Sequence, residues 1–262
     1  MNSRLNYIIF GIACLSGIAV RTIMLLFIID PVSGFIYSDY SYPSIGLIAI
    51  LIIAGAAVFG LSLFQKINRD STPSVGSAPF YIAAVIMALA IGYETFFSGL
   101  LNKSNQLQHI LHYTFTIGAL AALIIIAVMK YLDRSFHGGL TLLPIAFWIM
   151  RLIIIFTDFS TISTISETVI ETFAMCLTLV TFVFYAKVEN YQIPKKRYTL
   201  AFATALLNAY VCAIGSVPRI IASLFALQQP VHMNTIPAFT GLATAIFSAA
   251  FAYSMLESIK DN

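Results

Sequence analysis

Residues 79–101 read PFYIAAVIMALAIGYETFFSGLL, an apolar run in which Glu94 is the single charge. A helix crosses the hydrocarbon core of a bilayer with about 20 such residues at ~1.5 Å rise each. The run is continuous rather than alternating with period two, which fits a helix and not a barrel strand. Seven further stretches have the same character, at about 7–29, 44–64, 110–129, 140–158, 166–186, 198–227 and 236–256. Eight spans predict an all-α polytopic bundle, a single transmembrane domain over residues 1–262, with both termini on one side.

Composition agrees. Of 262 residues, 60% are hydrophobic and 10% charged, where a soluble domain carries about 25% charged residues, and the mean hydropathy is +0.91. A nucleic-acid module, a disordered chain and a soluble enzyme are excluded. Cys14, Cys176 and Cys212 all lie in apolar runs, so neither a disulfide framework nor a zinc-binding spacing is present. No cofactor and no metal are expected, and the lipid bilayer is the first partner. The first span is too long for a signal-peptide core and has no small-x-small site before Asp30, so it reads as a retained helix.

Orientation follows from the basic residues. The side of the termini would hold Arg4, Lys66, Arg69, Lys130, Arg134, Lys187, Lys195, Lys196, Arg197 and Lys260, and the opposite side only Lys103. The positive-inside rule places the termini in the cytoplasm. The loops around Asp30–Tyr42, Asn102–Gln108, Asp158–Ser163 and Gln228–Asn234 then face outward.

The remaining basic residues, Arg21, Arg151 and Arg219, fall inside spans. A charge near the centre of a span costs at least ~2.5–3.5 kcal/mol, so each needs a partner or a purpose. Arg21, Glu94, Arg151 and Arg219 come from spans one, three, five and seven, and all sit roughly 10–14 Å below the outer boundary at 1.5 Å per residue. Glu171 of span six lies one turn beyond Glu167, itself part of a capping box Thr164-Ile165-Ser166-Glu167. Glu171 and Asp158 are candidate ion-pair partners. Three arginines against Glu94 and Glu171 leave a formal +1, which suits an anion or the carboxylate of a zwitterion. The same charges would also serve snorkelling or locking of helices.

Ser216-Val217-Pro218-Arg219 interrupts a stretch of about thirty residues. Proline lacks an amide proton, so a break is expected here, with Ser216 capping a restarted half-helix whose amides join Arg219 at an anionic group. His109 and His112 share a helix face at the outer end of span four and read as interfacial. Tyr37, Tyr40 and Tyr42 outside, with Tyr81, Tyr131, Tyr185, Tyr198 and Tyr253 inside, resemble aromatic belts. Gly241, Ala245, Ser248, Ala249 and Ala252 form a small-residue ridge, and Gly55 and Gly60 thin span two. Asn102-Lys103-Ser104 matches a glycosylation acceptor by letters. Buried charges on the odd spans suggest helical hairpins or two four-helix halves. Walker, rhomboid-type and His-Glu-x-x-His signatures are absent, as is a retinal-type lysine.

The segment Arg21–Phe35, ending Ile29-Asp30-Pro31-Val32-Ser33-Gly34-Phe35, resembles a pattern found after the first span of uncharacterised polytopic membrane proteins from clostridia-like Gram-positive bacteria. The resemblance implies a bacterial plasma membrane and brings no activity with it.

Three functional expectations result. The first is a protein that binds or transports a small anionic or zwitterionic solute in the outer half of the bundle. Arg21, Arg151, Arg219 and Ser216 would hold the solute, with Glu94 as counter-charge or proton carrier. A homodimer or an energising subunit would complete it. The second is an embedded enzyme acting on a lipid or lipid-linked phosphate, with Glu94 or the histidines as acid and base. The third is an accessory or scaffold subunit whose charges pair across helices.

Overall fold

The computed structural model describes residues 3–30, 36–65, 77–97, 106–158, 165–190, 192, 194, 197–225 and 236–257. Among them eight helices are long and apolar enough to cross a membrane. They are α1 (Ser3–Ile23), α2 (Ser41–Leu63), α3 (Ala78–Phe97), α4 (Gln106–Tyr131), α5 (Leu142–Asp158), α6 (Ile165–Glu189), α7 (Tyr198–Leu224) and α8 (Ile236–Glu257). The protein is an all-α polytopic membrane protein. The loops around Asn102–Asn105, Phe159–Ser163 and Gln228–Asn234 lie outside the described residues, as do Pro31–Phe35, Lys66, Arg69, Lys195, Lys196, Lys260 and His232. The same holds for the side chains of Arg4, Asp158 and the capping box.

α1 does not stop at its boundary. It widens into a π-helical turn, Met24–Ile28, and the chain closes on itself by an antiparallel bridge between Ile29 and Ile36.

Six helices form a ring in which each packs on the next, in the order α3, α4, α5, α6, α7, α8 and back to α3. α1 and α2 pack on each other and, from outside the ring, on α7. Two four-helix halves are therefore not formed, because α7 binds elements of both. The most apolar windows of α7 and α8 are 78% and 67% buried against 22% for α2, so α7 is central and α2 mostly faces lipid.

Lipid is as apolar as leucine, so helices associate through close packing and hydrogen bonds rather than by hydrophobic exclusion. Small residues supply the packing. Tyr210 of α7 lies between Gly17 of α1 and Gly55 of α2, and its hydroxyl donates to the Leu51 carbonyl at 2.9 Å. A β-carbon on Gly17 would come within 2.8 Å of Ile214, whereas Gly60 has open space beside it. The ridge on α8 works inside the protomer. Gly241 sits against the Ser216 side chain, Ala245 and Ala252 are buried, and Ser248 receives a hydrogen bond from α7.

Most hydroxyls in the spans satisfy themselves. Thr22, Ser62, Thr116, Thr181, Thr204 and Thr244 each donate to the carbonyl four residues earlier, the usual resolution for a hydroxyl without water.

The ring interior changes character along its axis. At the end where α3, α5 and α7 begin, it is filled by aromatics. Phe182 stacks on Phe247 at 4.9 Å, and Phe80, Tyr185 and Phe251 close around them. Tyr185 and Tyr198 are buried, so these two belong to the core and not to an interfacial belt; only side chains such as Tyr131 and Tyr253 are exposed there. The Lys130–Glu189 ion pair and the Asn6–Gln65 hydrogen bond tie this basic face together. Toward the opposite face the interior becomes polar.

Candidate functional site

The polar end of the ring is built one side chain per helix, each projecting inward because its helix turns its other faces to lipid or to neighbours. Arg151 of α5 reaches Glu94 of α3 with Nη2 to Oε1 at 2.7 Å, and the same Nη2 lies 3.8 Å from Oε1 of Glu171 on α6. The other oxygen of Glu171 lies 3.6 Å from Nη1 of Arg219 on α7. Glu171 thus bridges two guanidiniums, and Glu94 holds the first of them from behind. The side chains of Glu94, Arg151 and Arg219 are nearly sealed from solvent, at 4%, 6% and 9% exposure, while Glu171 keeps 29%. Glu171 therefore faces the entrance, and Glu94 the interior. Thr240 of α8 stands beside Glu94.

A cavity of about 50 Å³ opens next to these charges, lined by Arg151, Glu171 and Arg219 with Trp148, Thr178, Cys212, Ser216 and Thr244. At the ~10–15 Å³ that one water needs, it has room for about three to five water-sized groups. That suits a carboxylate or a small zwitterion, not a nucleotide. Trp148 supplies a ring face 5.0 Å from the Arg151 guanidinium.

Two cavity-lining residues carry buried donors with no acceptor. Arg151 Nε and Nη1 and Trp148 Nε1 have no hydrogen-bond partner among the described residues. Leaving a buried donor unmet costs roughly 1–3 kcal/mol, and buried polar groups are otherwise nearly always satisfied. The three unmet donors on two cavity-lining residues invite an acceptor.

Below the cavity a hydrogen-bonded set joins three helices. Asn208 of α7 donates to Ser248 of α8 at 2.9 Å and accepts from Thr178 of α6 at 3.2 Å and from Cys212 at 3.4 Å. Asn208 is fully buried. An asparagine in the middle of an apolar span is a legible polar signal, although it carries no charge to mark it.

The sequence expectations divide. Glu94, Arg151, Glu171 and Arg219 converge in one cluster. Arg21 does not line that cavity. It is buried on the outer flank of α7, with Arg219 within electrostatic range and Nη1 3.9 Å from Met24 Sδ. It lines a separate groove on the lipid side.

The expected break in span seven is absent: α7 runs unbroken from Tyr198 to Leu224 with Pro218 inside it. α1, α2, α6 and α8 hold it along its length, and this packing outweighs one lost backbone hydrogen bond. Ser216 is consequently a helix-interior residue packed on Gly241, not a cap.

His112 is not interfacial either. It is 4% exposed, its ring lies 5.8 Å from that of Phe147, and its Nδ1 has no partner among the described residues. His109 is only partly buried. No group of three or more metal-ligating side chains occurs among the described residues.

Compared with protein-family models, curated proteins and solved structures, the chain matches none.

Proposed function

We propose that this membrane protein binds a small anionic or zwitterionic solute in the cavity between α5, α6, α7 and α8, and passes it across the bilayer. The observation that carries the reading is the set of buried, unmet donors on Arg151 and Trp148 in a cavity that also presents Arg219 and Glu171. A carboxylate there would pair with the guanidiniums of Arg151 and Arg219, and an ammonium group would find Glu171. Two guanidiniums and two carboxylates make up the cluster, with Arg21 on its flank. The partly exposed Glu171 marks the entrance, on the face opposite the basic loops. The aromatic packing around Phe247 closes the other end, so passage requires that packing to part.

The scaffold reading draws on the same ion pairs, and ligand binding separates the two. Purified protein in detergent is titrated with acetate, short dicarboxylates and amino acids, and its melting temperature and binding heat are followed. Saturable stabilisation by at least one class, lost in Arg219→Ala protein that remains monodisperse, supports the solute site. Equal insensitivity of both proteins to every class assigns the charges to helix locking.

A further inference from the structure

Five helices of the ring each bring a polar side chain to its outer end: Glu94 on α3, Arg151 on α5, Glu171 on α6, Arg219 on α7 and Thr240 on α8. α4 completes the ring, and it brings His112. All six residues stand roughly one to two turns from the outer ends of their helices. His112 lies on the buried stripe of α4 with Thr116, Ala119 and Leu123. One turn below it the Thr116 hydroxyl meets that of Thr95, the neighbour of Glu94, at 3.3 Å. The histidine thus joins the polar layer from the α4 side.

A histidine that served the fold alone would have its ring nitrogens matched. His112 is 4% exposed, and its Nδ1 has no partner among the described residues. The long helices packed on α4 are α3 and α5. Their titratable or charged groups at this level are Tyr93 and Glu94 on α3 and Arg151 on α5, while His109 and Tyr113 flank His112 on α4 itself. Tyr93 turns instead to Phe97 and Phe239, and the Tyr113 ring lies 6.4 Å away. Arg151 and His109 are within electrostatic range of His112, and Glu94 is engaged by Arg151.

We infer that His112 takes up a proton when an anionic solute occupies Arg151, so that solute and proton cross together. The inference rests on the solute site proposed above. A proton on the imidazole sets a second positive charge near the Arg151 guanidinium, and like charges repel strongly away from water. An anion seated on Arg151 offsets that repulsion and admits the proton. Coupling is reciprocal, so the proton tightens the solute as much as the solute tightens the proton. His109, one turn nearer the outer face and only partly buried, marks the side from which the proton arrives. When the solute leaves, the repulsion returns and the proton leaves with it.

Full-length protein in detergent is titrated by calorimetry with acetate, oxalate and glycine, in two buffers of different ionisation enthalpy at each pH. Wild-type protein is expected to take up about half a proton or more per bound solute at some pH between about 6 and 8, where imidazole titrates. Its affinity for the solute rises as the pH falls. His112→Gln protein binds the same solute without proton uptake and with a flattened pH dependence. Uptake that persists in His112→Gln, or that is lost equally in His109→Gln, puts the proton elsewhere and overturns the inference. Binding without uptake in wild-type protein overturns the coupling alone, whereas no binding of any probe removes the solute site and the coupling with it. Should His112→Gln fail to fold, wild-type protein with nitrogen-15 histidine reports by magnetic resonance. At fixed pH one imidazole must change from neutral to charged when the bound probe is added, and the same change must appear in His109→Gln protein. Imidazoles that all stay as they were would overturn it.

Discussion

Arg151 and Glu94 are joined at 2.7 Å across α5 and α3, both side chains at 6% exposure or less. A pair so deeply buried gains its Coulomb energy at the expense of two desolvations, so the pair as a whole adds little, whereas one partner alone is strongly unfavourable. Glu94→Gln is therefore expected to cost about 3–5 kcal/mol, and Glu94→Gln with Arg151→Met to recover most of that loss. Thermal melting of the three proteins in detergent measures it. A double variant no more stable than the single one would mean that Arg151 is held mainly by Glu171.

Arg219 has a different partner and a different consequence. Its contact with Glu171 is 3.6 Å, longer than a charge-assisted hydrogen bond, and it lines the solute cavity, so its removal acts directly on the cavity. Arg219→Ala should weaken solute binding by at least tenfold, in line with ~1.5–3 kcal/mol for a hydrogen bond to a charged group, while the elution profile stays that of wild type. Titration calorimetry reads the first and size-exclusion chromatography the second.

Close helix approach on the outer flank of α7 depends on single hydrogens. Gly17→Ala places a methyl within 2.8 Å of Ile214 and 3.0 Å of the Tyr210 hydroxyl, and a strained core insertion costs about 1–3 kcal/mol. Gly60→Ala meets nothing within 4 Å and should melt with wild type or slightly above it, since alanine is the better helix former. Equal melting temperatures for the two variants would show that α1 slides freely on α7.

Asn208→Ala removes a side chain that links α6, α7 and α8 by hydrogen bonds beneath the cavity. Thr178 retains its own backbone acceptor, the Ala174 carbonyl, so the loss falls on Ser248 and Cys212, at about 1–3 kcal/mol. Lower thermal stability is expected, together with faster reaction of Cys212 with a small maleimide as the packing loosens. Unchanged stability would reduce Asn208 to a passenger in the core.

Glu94, Arg151, Glu171 and Arg219 are legible in the sequence because an ionisable residue in an apolar run has few explanations, and residue counting puts Glu94, Arg151 and Arg219 at one depth. Counting along a helix fixes height well and rotation poorly. For that reason the sequence places Arg21 at the same height as the others but does not show that it lies on the opposite flank of α7. The expected break at Ser216–Pro218 does not form for a related reason: proline's local cost is readable in the sequence, but the four helices that hold α7 straight are not. Asn208 and the buried His112 give weaker sequence signals because neither carries an obligatory charge, and their roles depend on which neighbours they meet.

Hydrophobic run lengths by themselves determined the eight crossings, because a bilayer tolerates no other backbone arrangement of such segments. They also set the layer in which the charges lie, through the fixed rise of the helix. Tertiary packing decided which charges share a cavity, which one borders lipid, and how the ring closes from α8 to α3. Those outcomes depend on helix rotation and neighbour choice, set by small residues such as Gly17, Gly55 and Gly241 meeting side chains far away in the chain, and no local pattern encodes the meeting.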